Sequence, residues 1–231
     1  MKIGVTDSGI GGLNVLAALV KERCGDGYVY LSDGKNLPYG DKSGDELKEI
    51  ALENAKKLAE RGANAIVFGC NTLSVSALDY VRKRVVPPVF GLVPRPELLS
   101  GKALLLTTPA TALFLPKIEK DVYLLTPKDL ASLIDGEFPQ TTKTEAYLRP
   151  LLLPYADVEN VYLGCSHYLF AKSFFKRLLP HAKILDGAAH LAALVKAVLP
   201  ETGCQNPSLD FVFTGEDQTE RYLGILASLL A

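Results

Sequence analysis

The chain has 231 residues, of which 48% are hydrophobic and 22% are charged, and its formal net charge is −1. This composition supplies enough apolar material for a packed core and argues against a disordered or fibrous chain. The 25 basic residues are scattered, so the sequence lacks the basic patch typical of proteins that bind nucleic acids. We therefore expect a small-molecule ligand and no nucleic-acid partner.

The sequence also predicts where the protein is found and which state its thiols adopt. Apolar stretches are interrupted by Pro, Lys or Asp before they reach the length of a membrane span, and Met1–Val5 resembles a buried strand rather than a signal peptide. These features predict a cytoplasmic protein with no membrane partner. The four cysteines are Cys24, Cys70, Cys165 and Cys204. In a reducing compartment they are expected to be free thiols, and the dispersed histidines predict no metal site.

Short apolar runs alternate with helical patterns along the chain, which predicts an α/β fold with mainly parallel sheets. The predicted strands are Lys2–Thr6, Tyr28–Ser32, Ala65–Phe68, Val89–Val93, Ala103–Thr107, Val122–Leu125, Val161–Leu163, Lys183–Leu185 and Asp210–Phe213. After the second strand, Ser43 as N-cap and Glu46 at N3 predict a capped helix that stops near Gly62. A further helix is predicted from about Phe170 to Leu179, where a proline ends it.

An internal repeat is more informative than any single element. Ile66–Thr72 resembles Val161–His167, because each is a strand followed by Gly-Cys and two polar residues. Ligands of open α/β sheets bind at this end of the strands. The repeat therefore predicts two pseudo-symmetric α/β domains with an active site in the cleft between them. A boundary is expected near Pro94–Pro96, where two prolines disrupt regular structure.

The first predicted domain comprises 1–94 plus about 208–231 and carries Asp7 and Cys70. The second comprises 95–207 and carries Cys165 and His167. Of the other cysteines, Cys24 and Cys204 lack a comparable setting and are interpreted as structural.

The glycine-rich loop after the first strand has two interpretations. It can bind an anion through backbone N–H groups, or it can be an ordinary turn between a strand and a helix. It does not match the G-x-G-x-x-G dinucleotide motif, since Gly12 is followed by Leu13 and Asn14. An acid and a hydroxyl at this strand end, Asp7 and Ser8, can orient an ammonium group or tune a base.

Two further segments also have a structural and a functional interpretation. Pro38-Tyr39-Gly40 forms a turn, and its backbone donors can also hold a carboxylate. Thr108 and Thr111 either cap a helix or bind a carboxylate, and capping is favoured for the pair in isolation.

The two Gly-Cys sites point to chemistry. A single cysteine at the end of a buried strand is usually a small core residue, but two in repeated polar contexts are not explained in that way. The N-terminus of the following helix is expected to lower the thiol pKa from about 8.5 and so produce a base. Two opposed thiols suit removal of a proton from one face of a carbon and its return on the other. A Cys/His hydrolase or lyase is the alternative, although His167 lies too near Cys165 in sequence for such a pair, which favours an orienting role.

Together these segments resemble the glutamate racemase family over nearly the whole chain. The motifs that carry the resemblance are Val5–Leu13, Leu37–Ser43, Gly69–Thr72 and Gly164–Tyr168. Aspartate and hydantoin racemases share the fold and the cysteine pair, but they typically have an acidic residue at the position of His167. The resemblance therefore favours glutamate.

The resemblance implies that Cys70 and Cys165 are the acid/base pair, with Asp7 assisting the first thiol and His167 the second. The implied substrate-binding residues are Asp7, Ser8, Pro38, Tyr39, Gly40, Asn71, Thr72, Thr108, Thr111, Ser166 and His167. It also implies a cofactor-independent enzyme that forms a homodimer and supplies D-glutamate for peptidoglycan, and hence for cell-wall biogenesis and cell shape. A racemase of another acidic amino acid such as aspartate, and a non-catalytic amino-acid-binding relative, are the alternatives.

Three positions depart from the family pattern. Ser166 stands where the family usually has threonine, and Phe114 stands where a small polar residue is common. Asp135 is the nearest candidate for an acidic residue that the family carries in its second domain. The chain is also short, which indicates a trimmed second domain.

Overall fold

A computed structural model describes residues 1–139, 141–200 and 206–231. The strands in these ranges are β1 (Lys2–Asp7), β2 (Gly27–Ser32), β3 (Ala65–Phe68), β4 (Val89–Gly91), β5 (Ala103–Thr107), β6 (Val122–Leu125), β7 (Asn160–Gly164), β8 (Lys183–Leu185) and β9 (Ser208–Phe213). The α-helices there are α1 (Leu13–Lys21), α2 (Gly44–Glu60), α3 (Asn71–Arg82), α4 (Pro109–Ala112), α5 (Leu130–Glu137), α6 (Thr142–Leu152), α7 (Lys172–Leu178), α8 (Ala188–Val198) and α9 (Thr219–Leu230). The predicted strands are all found, and the predicted α/β class is confirmed.

The strands of the described residues form two parallel sheets. The first sheet has the order β4-β3-β1-β2-β9, and the second has the order β6-β5-β7-β8. Because parallel strands all end at the same edge, each sheet has one edge suited to ligand binding. The two Gly-Cys sequences follow β3 and β7, which pair with β1 and β5 in the same way. The repeat seen in the sequence therefore corresponds to equivalent positions in the two sheets.

Helices cover both faces of the first sheet, which explains why its strands are apolar almost throughout. α1, α8 and α9 pack on the face that contains Val5, whereas α2 and α3 pack on the face that contains Ile66. The second sheet has a large core with α5, α6 and α7, and a smaller one on its other face around Leu105 and Tyr162. Each fully buried side chain of this size contributes about 1.5–3 kcal/mol, so both sheets are firm supports for the loops at their ends.

The chain returns from the second sheet to the first before its last strand. β9 pairs with β2, and α8 packs on α1, where Leu191 and Val195 join the core of the first sheet. α8 lies inside the predicted second domain, 95–207, yet it is packed with the first sheet. The division into 1–94 plus about 208–231 and 95–207 stays a prediction, and the packing of α8 favours a return upstream of 208.

α2 begins and ends as the sequence predicts. The Oγ of Ser43 accepts a hydrogen bond from the backbone N–H of Glu46 at 3.3 Å, and the Glu46 carboxylate accepts the N–H of Ser43 at 2.9 Å. The helix ends at Glu60, and Gly62 has a φ of +82°, which glycine adopts without strain. The predicted capping box and stop are confirmed.

The helix predicted from about Phe170 to Leu179 starts later than expected. The chain first forms a 3-10 helix over Ser166–Ala171, and α7 follows over Lys172–Leu178. Ser166 and His167 are held against the loop that follows β1, and the tighter 3-10 winding accommodates these contacts. The spacing of apolar residues alone does not reveal this change of helix type.

Candidate active site

The two repeated cysteines lie at the carboxyl ends of equivalent strands. Cys70 follows β3 and is the N-cap residue of α3, and Cys165 follows β7 and is the N-cap residue of the 3-10 helix Ser166–Ala171. Both residues are 5% exposed. The charge of Cys165 raises the pKa of Cys70, so the two thiols lie within electrostatic reach of each other. The structure therefore brings together two thiols that are far apart in sequence.

Cys70 is a protonated thiol in this environment. Burial raises its pKa well above the ordinary value, and the charge of Asp7 raises it further. The backbone N–H groups of Leu73 and Thr72, at the start of α3, lower the pKa but do not offset burial. The expectation of a thiol pKa below the ordinary value is therefore wrong for Cys70, because desolvation by burial outweighs the two hydrogen bonds from the helix N-terminus.

Asp7 ends β1 and hydrogen-bonds to both halves of the site. Its Oδ1 accepts the N–H of Ser8 at 2.6 Å, and its Oδ2 accepts the hydroxyl of Ser166 at 2.8 Å. Burial raises the pKa of this carboxyl, while His167 and the two hydrogen bonds oppose the rise. A buried carboxyl beside a thiol can exchange a proton with it, so this location is consistent with the predicted role of Asp7 at Cys70.

His167 is paired with Asp135, which lies on α5. The Nε2 of His167 lies 2.9 Å from the Oδ2 of Asp135, and the same oxygen accepts the N–H of Ile10 at 2.9 Å. Burial lowers the pKa of His167, but hydrogen bonds with Asp135 and Cys165 and the charges of two carboxylates raise it well above the ordinary value. Burial raises the pKa of Asp135, but its contacts with His167, Ile10 and Arg221 lower it overall. The pair is therefore an imidazolium and a carboxylate.

The glycines of the loop after β1 allow the two halves to approach closely. A Cβ on Gly11 would lie 2.5 Å from the Oγ of Ser166 and 2.6 Å from the Nδ1 of His167. A Cβ on Gly9 would overlap the carboxylate of Asp135. Close packing of this loop against the second half accounts for both glycines.

Three of the predicted binding hydroxyls converge at one point. The Oγ1 atoms of Thr72, Thr108 and Thr111 lie 2.9 Å from one another. Thr108 is also the N-cap of α4 and accepts the N–H of Thr111 at 3.2 Å, so the capping interpretation of this pair holds. Gly40 lies beside Thr108, and a Cβ there would be 3.4 Å from the Cβ of Thr108. Such a cluster of hydroxyl donors is able to hold a carboxylate as well.

Asn71 carries a free acceptor next to Cys70. Its Nδ2 donates to the carbonyl oxygen of Leu92 at 2.8 Å, which fixes the orientation of the amide. Its Oδ1 is buried and has no hydrogen-bond partner among the residues that the structure describes. A buried acceptor without a partner is unfavourable in the free protein and is well suited to a donor such as a ligand's ammonium group.

Comparison with known proteins identifies the family. No protein-family model matches the chain. It is, however, 38% identical to the glutamate racemase of Leptospira interrogans over 203 residues, which cover 81% of this chain and 78% of the relative. The chain belongs to the glutamate racemase family. It is accordingly an amino-acid racemase, an isomerase, and the resemblance predicted from its motifs is confirmed.

Solved structures agree with this membership. The glutamate racemase of Francisella tularensis, solved in complex with D-glutamate, superposes with a TM-score of 0.81 at 27% identity over 99% of this chain and 93% of that one. The glutamate racemase of Campylobacter jejuni has a TM-score of 0.82 at 21% identity over 100% of this chain and 98% of that one. The two-sheet fold described above is therefore the fold of this racemase family.

The hydroxyl of Tyr39 supports its own loop and does not point to a substrate role. That hydroxyl donates to the Oδ2 of Asp33 at 2.8 Å and lies 3.0 Å from the Nδ2 of Asn54. Its predicted part in binding is therefore restricted to its ring and backbone, beside Pro38 and Gly40. The sequence interpretation missed Asp33 and Asn54 as supports of this loop, although Asp33 directly follows β2 at the same edge of the sheet where Asp7 ends β1.

The candidate site is closed to solvent. Ser8 is 3% exposed and Thr108 is 6% exposed. All the predicted site residues are buried except Pro38 and Gly40, which are half-buried. A cavity of about 260 Å³ borders Ser8 and Asp135 at the ends of β1 and β2. The two thiols are therefore enclosed between the halves in this structure.

The remaining sequence predictions concern metals, membranes and the other cysteines. Across 1–139, 141–200 and 206–231, no group of three or more His, Cys, Asp or Glu side chains is arranged to hold a metal ion. No helix within those ranges is both long and apolar enough to cross a membrane. Cys24 is buried in the core of the first sheet, whereas Cys204 lies outside the described residues.

Proposed function

We propose that this racemase interconverts L- and D-glutamate by moving the α-proton between Cys70 and Cys165, without a cofactor. The observation that carries the proposal is the pair of buried thiols at equivalent strand ends, one beside Asp7 and the other hydrogen-bonded to His167. Glutamate as the substrate is supported by the 38% identity to the Leptospira interrogans glutamate racemase and by the complex of the Francisella tularensis enzyme with D-glutamate.

The proton moves as follows. Cys70 is protonated at rest because burial raises its pKa, and it serves as the acid for one enantiomer. The thiolate of Cys165, to which the His167 imidazolium donates, takes the α-proton and becomes a thiol. The resulting carbanion takes the proton of Cys70, which becomes the thiolate, and the product has the opposite configuration. The reverse direction starts from this second protonation state, so the same pair serves both enantiomers.

The surrounding groups bind the amino acid and stabilise the charge of the carbanion. The Oδ1 of Asn71 is a free acceptor for the ammonium group, and the hydroxyls of Thr72, Thr108 and Thr111 are donors for a carboxylate. Closure around the substrate excludes water, which strengthens these interactions because the local dielectric falls. General acid–base catalysis itself contributes about 10²–10⁴-fold.

The proposal is tested by chiral chromatography of L-glutamate, D-glutamate and L-aspartate incubated with the protein in D₂O. We expect racemisation of glutamate in both directions, with deuterium at the α-carbon of the product. Cys70→Ser and Cys165→Ser should each lower turnover by at least about 10²-fold, because a serine hydroxyl is a far weaker acid than a thiol and is not deprotonated to the required base at neutral pH. Cys24→Ser, a buried thiol in the core of the first sheet, is the matched control and should retain activity.

Racemisation that persists in either variant would contradict the two-thiol mechanism. Faster conversion of aspartate than of glutamate would instead identify aspartate as the substrate. Binding of glutamate with no change of chirality would identify a non-catalytic relative. We extend the proposal to a cytoplasmic homodimer that supplies D-glutamate for peptidoglycan. Light scattering and rescue of a bacterial strain that requires D-glutamate test these two points.

A further inference from the structure

Arg221 connects the last helix to the acid–base pair of the second half. It lies on α9, which is packed in the core of the first sheet through Tyr222 and Ile225. Its guanidinium donates a short hydrogen bond to the backbone carbonyl of Asp135 on α5 and lies 3.7 Å from the Oδ1 of that residue. A further hydrogen bond, of 2.8 Å to the Oε1 of Gln218, holds the guanidinium in place.

These contacts leave little freedom to the carboxylate of Asp135. Its Oδ2 accepts hydrogen bonds from Ile10 and His167, and its Oδ1 faces Arg221. The aspartate side chain has only two rotatable bonds, so fixing its backbone carbonyl and both carboxylate oxygens determines its conformation. Since His167 is hydrogen-bonded to both Asp135 and Cys165, the position of the imidazole depends on the same anchor.

We propose that Arg221 is a positioning residue for racemisation, acting through Asp135 and His167 on the Cys165 side of the site alone. The inference rests on the two-thiol function proposed above. Asp7, the partner of Cys70, hydrogen-bonds to Ser8 and Ser166, whereas the contacts of Arg221 described above are with Gln218 and Asp135. The C-terminal helix thereby sets the geometry of one of the two acid–base groups.

Arg221→Met tests the proposal, because methionine keeps the apolar stem and removes the guanidinium. We expect kcat/KM to fall about tenfold, the effect of losing one charge-assisted hydrogen bond at a catalytic group. Arg61→Met is the matched control. Arg61 also lies 3.7 Å from an aspartate, Asp210, but it is the C-cap residue of α2, which packs on the face of the first sheet opposite α9. Its loss should leave kcat/KM unchanged.

Isotope effects separate a positioning role from a merely structural one. Because the two enantiomers have equal free energy, kcat/KM must stay equal in the two directions for any variant. When the Cys165 side is slowed, proton removal by Cys165 becomes more fully rate-limiting. The primary deuterium isotope effect on kcat/KM should therefore rise for the enantiomer that Cys165 deprotonates and fall for the other, whereas general damage to the fold would change both alike.

A folded Arg221→Met protein with wild-type kcat/KM and symmetric isotope effects would overturn the proposal. Should that variant fail to fold, Arg221→Lys decides the matter, since a single ammonium cannot hold the carbonyl and the carboxylate together. A smaller fall in kcat/KM with the same asymmetry of the isotope effects then supports the role. Wild-type kcat/KM and isotope effects in Arg221→Lys would rule it out.

The NMR signal of the His167 Nε2 proton, recorded without substrate, separates this inference from the proposed function. We expect this hydrogen-bonded signal to broaden or shift in Arg221→Met and to stay unchanged in Arg61→Met. That result can be obtained even if the protein does not racemise glutamate, in which case only the proposed function fails. An unchanged signal in Arg221→Met would overturn the inference.

Discussion

The charge of His167 depends on a carboxylate from another helix. Burial alone lowers the pKa of this imidazole, and the hydrogen bond and charge of Asp135 are among the groups that raise it well above 6.5. Because the pKa is raised in the folded state, the stabilisation by the pair is complete below about pH 6.5 and is lost as the pH rises through the folded pKa. The pKa of Asp135 is instead lowered in the folded state, so its contribution to stability is lost as the pH falls through that folded pKa.

Asp135→Asn is therefore expected to move the basic limb of the activity profile to lower pH. The amide keeps the shape of the side chain but removes the negative charge, so burial is opposed less strongly and the pKa of His167 falls. The measurement is kcat/KM for glutamate as a function of pH. Asp129→Asn, at an exposed residue that begins the same helix, is the control and should leave the profile unchanged. A basic limb at the same pH in both variants would show that Asp135 does not govern the imidazolium.

For individual residues, the sequence predicts which side chains at strand ends belong to the site, but it does not predict the contributions of side chains within helices. Cys70 and Asp7 could be predicted to meet because their parallel strands end at one edge of the same sheet, and the repeat gives Cys165 the equivalent position in the second sheet. Asp135 was found as a nearest candidate through the family resemblance alone. Arg221 lies in an amphipathic helix, where a charged residue ordinarily indicates a solvent-facing side, and nothing in that pattern predicts its contact with α5.

Among the elements, the short helix α4 contacts the first half of the chain near the predicted binding hydroxyls. Phe114 follows α4, and a Cβ on Gly44, the first residue of α2, would lie 3.5 Å from its ring. Gly40 is in similar contact with Thr108. These contacts join the two halves beside the threonine hydroxyls and close that side of the site.

Phe114→Ala is expected to raise the KM for glutamate about fivefold while leaving kcat nearly unchanged. The ring is 44% exposed, so its removal weakens the closed state by part of the burial energy of an aromatic side chain. Leu113→Ala is the control, because Leu113 is 83% exposed and contributes little to closure. Steady-state kinetics of both variants provides the comparison, and equal KM values for the two would refute a role of Phe114 in closure.

Elements determined by neighbouring residues could be predicted, whereas those determined by tertiary contacts could not. The capping box of α2 is formed by Ser43 and Glu46 alone, and both its presence and its position follow from the sequence. The 3-10 helix Ser166–Ala171 depends on contacts with the loop after β1, which local spacing does not contain. In the same way, the amphipathic pattern of α8 shows that it has a buried face but not which sheet covers that face.

For the molecule as a whole, the proposed mechanism requires the two halves both to meet and to separate. Polar contacts join them in the site: Ser166 hydrogen-bonds to Asp7, Asn14 donates to the carbonyl of Ser166, and Ile10 donates to Asp135. Beside them, Phe138, Leu169 and Phe170 of the second half are only partly buried where they pack against the core of the first sheet. Polar contacts of this kind contribute about 0.5–1.5 kcal/mol each, far less than the apolar cores of the two sheets. The proposed mechanism therefore needs these contacts to break and re-form while the two apolar cores stay folded.

Gly11→Ala tests whether close contact of the halves, rather than the integrity of either, limits the rate. Its new methyl group would lie 2.5 Å from the Oγ of Ser166 and 2.6 Å from the Nδ1 of His167, so the halves must shift apart by up to about 1 Å. Displacement of this size reduces turnover about 10²-fold, since catalytic groups lose their alignment. Gly224→Ala, within α9 with no atom near the added methyl, is the matched control and should gain about 0.5–1 kcal/mol of stability from improved helix propensity. Thermal unfolding and kcat measured on both proteins give the answer: if Gly11→Ala keeps wild-type kcat, closure to the distances described here is not needed for proton transfer.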